Sequence, residues 1–127
     1  MDVTRSPAAI VSRLDPWAPP LVLMVVIFAL SAQPDLSSGL GLWDTVGRKV
    51  VHMSEYALLC ALWWRALRTV ASDAPALAFA ILVALAYAAS DEVHQVFVHG
   101  RHGTPVDVLI DAAGVAAASL LIARRTR

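Results

Sequence analysis

Apolar residues in this chain come in blocks, with no amphipathic stripe along most of them. The first block runs from Trp17 to about Gln33 (WAPPLVLMVVIFALSAQ). The second spans about Val46 to Leu67, polar in its first half and apolar in its second. The third covers roughly Pro75 to Phe97 and is almost purely apolar until Ser90, and the last spans Pro105 to Ala123. At about 1.5 Å per residue, each is long enough as a helix to cross most or all of a ~30 Å hydrocarbon core. Lipid favours the helix, because an open strand would leave backbone N–H and C=O groups unpaired. The pattern therefore predicts an all-α protein, an integral membrane bundle of four transmembrane helices. Residues 1–16 read as a cytoplasmic N-terminal segment, 17–123 as the transmembrane domain and 124–127 as a basic cytoplasmic tail. No repeat or low-complexity tract is visible.

Composition strengthens this picture. Of 127 residues, 58% are hydrophobic, and the mean hydropathy is +0.65. A soluble domain of this size could not hide several uninterrupted apolar runs, whereas a bilayer can. The formal net charge is zero, so no bulk field points to nucleic acid. The single cysteine, Cys60, lies inside an apolar run and founds no disulfide framework. Arg5 and Arg13 ahead of a short apolar stretch also resemble the start of a signal peptide. However, Pro19 and Pro20 open that stretch, and its exit (ALSAQPDL) is a poor small-residue cleavage site, so a retained first helix is expected.

Orientation follows from the basic residues. With four spans, Arg5, Arg13, Arg65, Arg68, Arg124, Arg125 and Arg127 share one side, and Arg48, Lys49 and Arg101 the other. The positive-inside rule then puts both termini in the cytoplasm, in a bacterial inner membrane. Trp17, Trp63 and Trp64 fall at the inner interface, where indoles prefer to sit. Most acids (Asp35, Asp44, Glu55, Asp91, Glu92, Asp107, Asp111) and all four histidines (His52, His94, His99, His102) fall in the outer half. Any chemistry is expected to face outward.

Converted to depth at about 1.5 Å per residue, Lys49, His52, Asp107 and Asp111 lie roughly 3–9 Å below the outer surface, with Asp91 and Glu92 at a similar depth. Tyr56 lies deeper, at ~15 Å on the same rise. An ionised side chain at bilayer depth costs something like 2.5–3.5 kcal/mol, so these groups are expected to meet one another or water. Helical phase agrees. Lys49, His52 and Tyr56 share a face with Glu55 adjacent, and Asp107, Asp111, Gly114 and Ala118 form one stripe whose small residues permit close approach. On the third helix, Ser90, Asp91, His94 and Gln95 fill one broad face, with Glu92 and His99 beside it.

Each residue also has a plainer reading. Thr104-Pro105 is an N-cap followed by proline at the first helical position, and Asp107 then completes a capping box. Arg48 and Lys49 can snorkel to headgroups. His99 and His102 read as solvated loop residues, and Tyr56 as packing. The whole set could be a buried network that only locks helices together.

The segments KVVHMSEYALL (Lys49 to Leu59) and SDEVHQVFVHGRHGTPVDVLIDAAG (Ser90 to Gly114) resemble the VanZ-like family. Its pattern is a lysine, a histidine three on, then Glu-Tyr; Ser-Asp-Glu with glutamine three later; a loop arginine; an aspartate and a glycine on the last helix. Lys49, His52, Glu55, Tyr56, Ser90, Asp91, Glu92, Gln95, Arg101, Asp107 and Gly114 match it. The end of the first helix, FALSAQP, supplies Ser31 and Gln33. The resemblance covers roughly residues 20 to 122. Two positions depart: Arg48 replaces an aspartate, and Asp111 stands where asparagine is usual. The family takes its name from a protein linked to low-level teicoplanin resistance, which implies a role in the bacterial cell envelope.

Three functions are open at this point. The first is an enzyme acting on a lipid-linked or phosphate-bearing envelope substrate at the outer leaflet. Lys49 and Arg101 would hold an anionic headgroup, with Gln95, Tyr56 and Glu55 completing the binding set. His52 would be general base or nucleophile, oriented by Glu55 or Glu92, with Asp91, Glu92 or Asp107 as partner acid. The second is a non-catalytic module that binds a lipid headgroup, drug or partner protein. The third, a proton-coupled transporter working as an oligomer, is disfavoured because the cytoplasmic half of the helices is apolar. No cofactor motif is present. His52, Glu55, Glu92 and His94 are metal-ligand types, but no His-x-x-x-His or comparable spacing appears, so no metal is assigned.

Overall fold

The computed structural model describes residues 15–33 and 39–127. Asp2, Arg5, Arg13, Pro34 and Asp35, which enter the charge balance and the motif, lie outside the described residues. The described residues form four α-helices and no strand: α1 (Ala18–Ser31), α2 (Leu42–Leu67), α3 (Asp73–Val96) and α4 (Pro105–Arg125). Each apolar block is one helix.

Two helices start earlier than the apolar blocks do, α2 at Leu42 and α3 at Asp73. Gly41, at φ 58°, turns the chain into α2. Asp44 in the first turn accepts the Leu40 N–H at 3.2 Å. Ser72 is the extended residue before α3, and Asp73 places a carboxylate at the positive end of its dipole. Pro19 and Pro20 lie in the first turn of α1, where a missing N–H costs nothing.

Helices α3 and α4 are long and apolar enough to cross a membrane. Helix α1 is apolar but has 14 residues, about 21 Å. Helix α2 has 26 residues, about 39 Å, with Asp44, Arg48 and Lys49 in its first half and Glu55 and Arg65 in its second.

Helix α2 is the centre of the bundle, packed on all three others and most extensively on α4. Helix α3 meets it with Ala76, Ala80, Ala84 and Ala88, all fully buried and one per turn. Side chains this small let backbones approach closely, which is how helices associate where lipid offers no hydrophobic drive. Ile27, Tyr56, Leu59, Cys60 and Val115 fill the remaining core. The Tyr87 hydroxyl donates to the Met24 carbonyl at 2.6 Å and ties α3 to α1. Large apolar side chains such as Leu21, Val25, Phe28, Phe79, Leu82, Leu109 and Leu120 point outward and are exposed. That inside-out surface is compatible with a membrane protein and would be an aggregation hazard in water.

The two ends of the bundle differ. At one, Trp17 meets Trp63 edge-on, Arg68 lies 4.5 Å over the Trp64 ring, and Arg68 and Asp73 pair at 3.4 Å. At the other, the C-terminal ends of α1 and α3 and the N-terminal parts of α2 and α4 gather the histidines and most of the carboxylates of the described residues.

Gly114 sets the closest helix approach. A Cβ on it would lie 2.1 Å from the Met53 carbonyl oxygen, so α2 and α4 touch backbone to backbone there. Gly47, also helical, faces open space, and a Cβ on it would meet nothing within 4 Å. Gly114→Ala should therefore push α4 off α2 and destabilise by about 1–3 kcal/mol, as overpacking does. Gly47→Ala should leave stability unchanged or raise it by up to about 1 kcal/mol through helix propensity. Thermal unfolding of both variants in matched detergent checks this pair.

Candidate functional site

Helices α2 and α4 run parallel and in register, and this builds one wall of the site. The Lys49 ammonium donates to Asp107 Oδ1 at 3.0 Å. One turn deeper, His52 Nδ1 lies 3.5 Å from Asp111 Oδ1, near enough for attraction but without an aligned hydrogen bond. One turn deeper again is the Met53–Gly114 contact. Farther down, Cys60 and Ser119 approach at 3.7 Å.

The loop between α3 and α4 supplies the opposite wall. A Cβ on Gly103 would sit 2.3 Å from the Glu92 carbonyl oxygen, so the chain passes directly over the end of α3. This brings the Thr104 N–H to Glu92 Oε2 at 3.2 Å. The Thr104 hydroxyl caps α4 by accepting from the Asp107 N–H at 3.3 Å, and donates to Asp107 Oδ2 at 2.8 Å. Capping and pairing with Lys49 thus use different oxygens of one carboxylate. The reciprocal half of a capping box is missing, because the Thr104 N–H goes to Glu92.

Between these walls lies an open cavity of about 180 Å³, lined among others by Lys49, His52, Glu92, Arg101, Asp107 and Asp111. Thr45, Arg48, Gln95 and His102 also reach it. Exposure falls steeply with depth: Lys49 is 41% exposed, Asp107 28%, His52 21% and Asp111 0%. Glu92 is also buried, at 5%. Cations and a capped carboxylate therefore stand at the mouth, and an imidazole with two carboxylates at the floor.

The floor is not satisfied internally. Among the described residues, His52 Nδ1, Glu92 Oε1 and both Asp111 oxygens have no hydrogen-bond partner, nor has the Tyr56 hydroxyl. A buried polar group left so costs about 1–3 kcal/mol, more when charged.

Not every expected residue reaches the cavity. Asp91 is buried and belongs to a separate cluster, accepting from the Ser31 hydroxyl and from Gln95 Nε2 at 3.3 Å. The same Gln95 nitrogen donates to Ser31 Oγ at 3.3 Å, so α1 is pinned to α3. Glu55 lines a groove between α1 and α2, with Ser31, Trp43 and Arg48, and not the cavity. Tyr56 is fully buried beneath. His94 stacks on Phe28 with ring centroids 4.5 Å apart, away from the other ligand types. Arg101 lines both spaces, and its Nε and Nη2 donate to the Gln33 and Leu30 carbonyls at 3.0 and 3.2 Å. There it caps the C-terminus of α1, where a cation is favoured. His99 and His102 are exposed, and His102 sits at the cavity edge.

Asp111 has a larger place than its motif position suggests. Its phase, one turn below Asp107 on the same stripe, was the signal available; its complete burial opposite His52 was not.

Neither the curated proteins nor the solved structures contain a match to this sequence. A model of the VanZ/LLP1 family matches residues 6–125, which includes every side chain of the cavity. Lys49, His52, Glu92, Gln95, Arg101 and Asp107 of the ordered motifs line this cavity, and the chain belongs to the VanZ/LLP1 family.

Proposed function

We propose that this chain is a four-span protein of the bacterial inner membrane with both termini cytoplasmic, and that its outward-facing cavity acts on a phosphate-bearing, lipid-linked envelope precursor. The observation that carries the reading is the vertical order of the cavity: Lys49 and Arg101 at the mouth, and His52, Glu92 and Asp111 at the floor. An anionic headgroup entering from the leaflet meets the cations first. Lys49 offers a mobile charge, and Arg101 keeps N–H donors beyond the two it spends on carbonyls.

The floor residues then face the phosphorus centre. Hydrolysis forms a bond from a water oxygen to phosphorus as the phosphorus–oxygen bond to the lipid breaks. The water's proton leaves through the floor groups to solvent, and a proton returns to the departing lipid oxygen from solvent in the open cavity. The products are inorganic phosphate and the shortened lipid. An effect on teicoplanin susceptibility would follow from consumption of such a precursor and belongs to the same proposal.

Several measurements bear on this. Fusion of a reporter that works only in the cytoplasm, placed after Arg127 or after Val70, should be active, and the same reporter after Gly39 should be silent. Purified wild-type protein should release phosphate from an undecaprenyl-type pyrophosphate lipid. His52→Ala should lower that rate by about 10²–10⁴-fold, the usual worth of acid–base chemistry. Lys49→Ala should weaken substrate binding by about 10–100-fold, the equivalent of one charge-assisted hydrogen bond. Lipid retained in native mass spectrometry without turnover would make the cavity a binding module instead. Finally, Glu92→Gln should melt at the wild-type temperature or above, because clustered carboxylates held for function strain the fold. A loss of several kcal/mol in both Glu92→Gln and His52→Ala would mark the cluster as a structural network.

A further inference from the structure

Three side chains at the cavity floor are arranged as ligands to a single ion. His52, Glu92 and Asp111 each present one nitrogen or oxygen, and these atoms all lie within 4.8 Å of one another. Each comes from a different helix, α2, α3 and α4 in turn. A proximity of acids alone would mean little, since exposed carboxylates often cluster. Here the groups are not exposed. Asp111 is 0% exposed, and neither of its oxygens has a hydrogen-bond partner among the described residues. Glu92 is 5% exposed, with Oε1 equally unpartnered, and so is His52 Nδ1. All three residues line the same cavity.

Charge points the same way. Two buried carboxylates lie beside one imidazole at the cavity floor, so their negative charges repel unless a cation stands among them. The nearest ammonium, Lys49, is engaged with Asp107 at the mouth, and the Arg101 donors described above lie on the α1 carbonyls. A divalent cation would balance the two negative charges where they stand and satisfy the open lone pairs.

We infer that His52, Glu92 and Asp111 bind one divalent transition-metal ion, of the Zn²⁺ or Mn²⁺ class, at the floor of this cavity. One imidazole with two carboxylates suits these ions better than Mg²⁺ or Ca²⁺, which take oxygen alone. Bonds of about 2.0–2.2 Å require the three ligand atoms to draw in by about an ångström, within reach of side-chain rotation. Three protein ligands leave a coordination position open toward Lys49 and Arg101, the arrangement of catalytic rather than structural sites. An ion there would polarise a phosphoryl oxygen and acidify a bound water. Asp111 matters most here: the asparagine usual in the motif would offer a weaker, uncharged oxygen, so this chain's departure strengthens the ligand set.

The inference rests on the reading of this cavity as the working site, and its test keeps the two apart, since metal content is measured without turnover. Full-length protein in detergent is stripped with a chelator, dialysed against Zn²⁺ or Mn²⁺ and assayed for metal per chain, with titration calorimetry for affinity. Wild type should hold about one ion per chain, and added metal should raise its melting temperature. Asp111→Asn and Glu92→Gln should bind at least 10-fold more weakly, while Asp73→Asn, at the other end of the bundle, should bind as wild type does. Absence of stoichiometric metal in wild type, or full retention by Asp111→Asn, overturns the inference. Should either floor variant fail to fold, Co²⁺ spectra of the wild type decide. Intense visible bands of a low-coordinate nitrogen–oxygen site support it, and a spectrum like the aqueous ion overturns it. Metal bound without phosphate release would sink the hydrolase reading alone.

Discussion

The contact between Gly114 and the Met53 carbonyl is the constraint on which the site depends. Helices carrying ordinary side chains keep their axes 8–10 Å apart. A missing Cβ lets α4 come closer to α2, and the pairs above the contact inherit that closeness. His52 reaches Asp111 and Lys49 reaches Asp107 because the helices are already touching one turn below. The alanines of α3 do the same for its packing on α2. Small residues in the apolar half thus hold large polar ones together in the polar half.

A second glycine completes the enclosure. Gly103 allows the loop before α4 to cross the end of α3 over the Glu92 carbonyl. Without that crossing, Thr104 could not both donate to Glu92 and cap α4. One oxygen of Glu92 is thereby fixed by a backbone donor, while the other is buried without a partner among the described residues. The same division recurs at Asp107, where one oxygen serves the cap and the other serves Lys49. The Asp91 carboxylate, by contrast, is taken up wholly by Ser31 and Gln95, which makes it a fastener between α1 and α3. Two neighbouring acids on α3 therefore have different work, decided by the helix each one faces.

Much of this was legible in the residues. The apolar blocks located four helices, and proline and Thr104 marked the start of α4. Depth and phase placed Lys49, His52, Glu92, Asp107 and Asp111 in one layer. Helix starts were less legible, since α2 and α3 begin on caps that lie outside the apolar pattern. The roles of Glu55, His94 and Arg101 were not legible at all: each lies near the layer in phase, yet Glu55 turns to a groove, His94 to an aromatic ring and Arg101 to the end of α1.

What the sequence determined by itself is the kind of protein, an all-α chain whose apolar surface faces outward and whose histidines and most of whose acids collect at one end. Hydropathy and helical period are local properties, and a 100° turn per residue carries them without reference to any partner. What only the tertiary structure decided is which polar groups are satisfied by each other and which are not. That depends on distances between helices, set by Gly114, Gly103 and the α3 alanines through contacts with residues far away in the chain. Asp91 and Asp111 are both buried aspartates on helical faces, alike in sequence terms. One meets a hydroxyl and an amide, the other meets an open cavity, and packing alone made that difference.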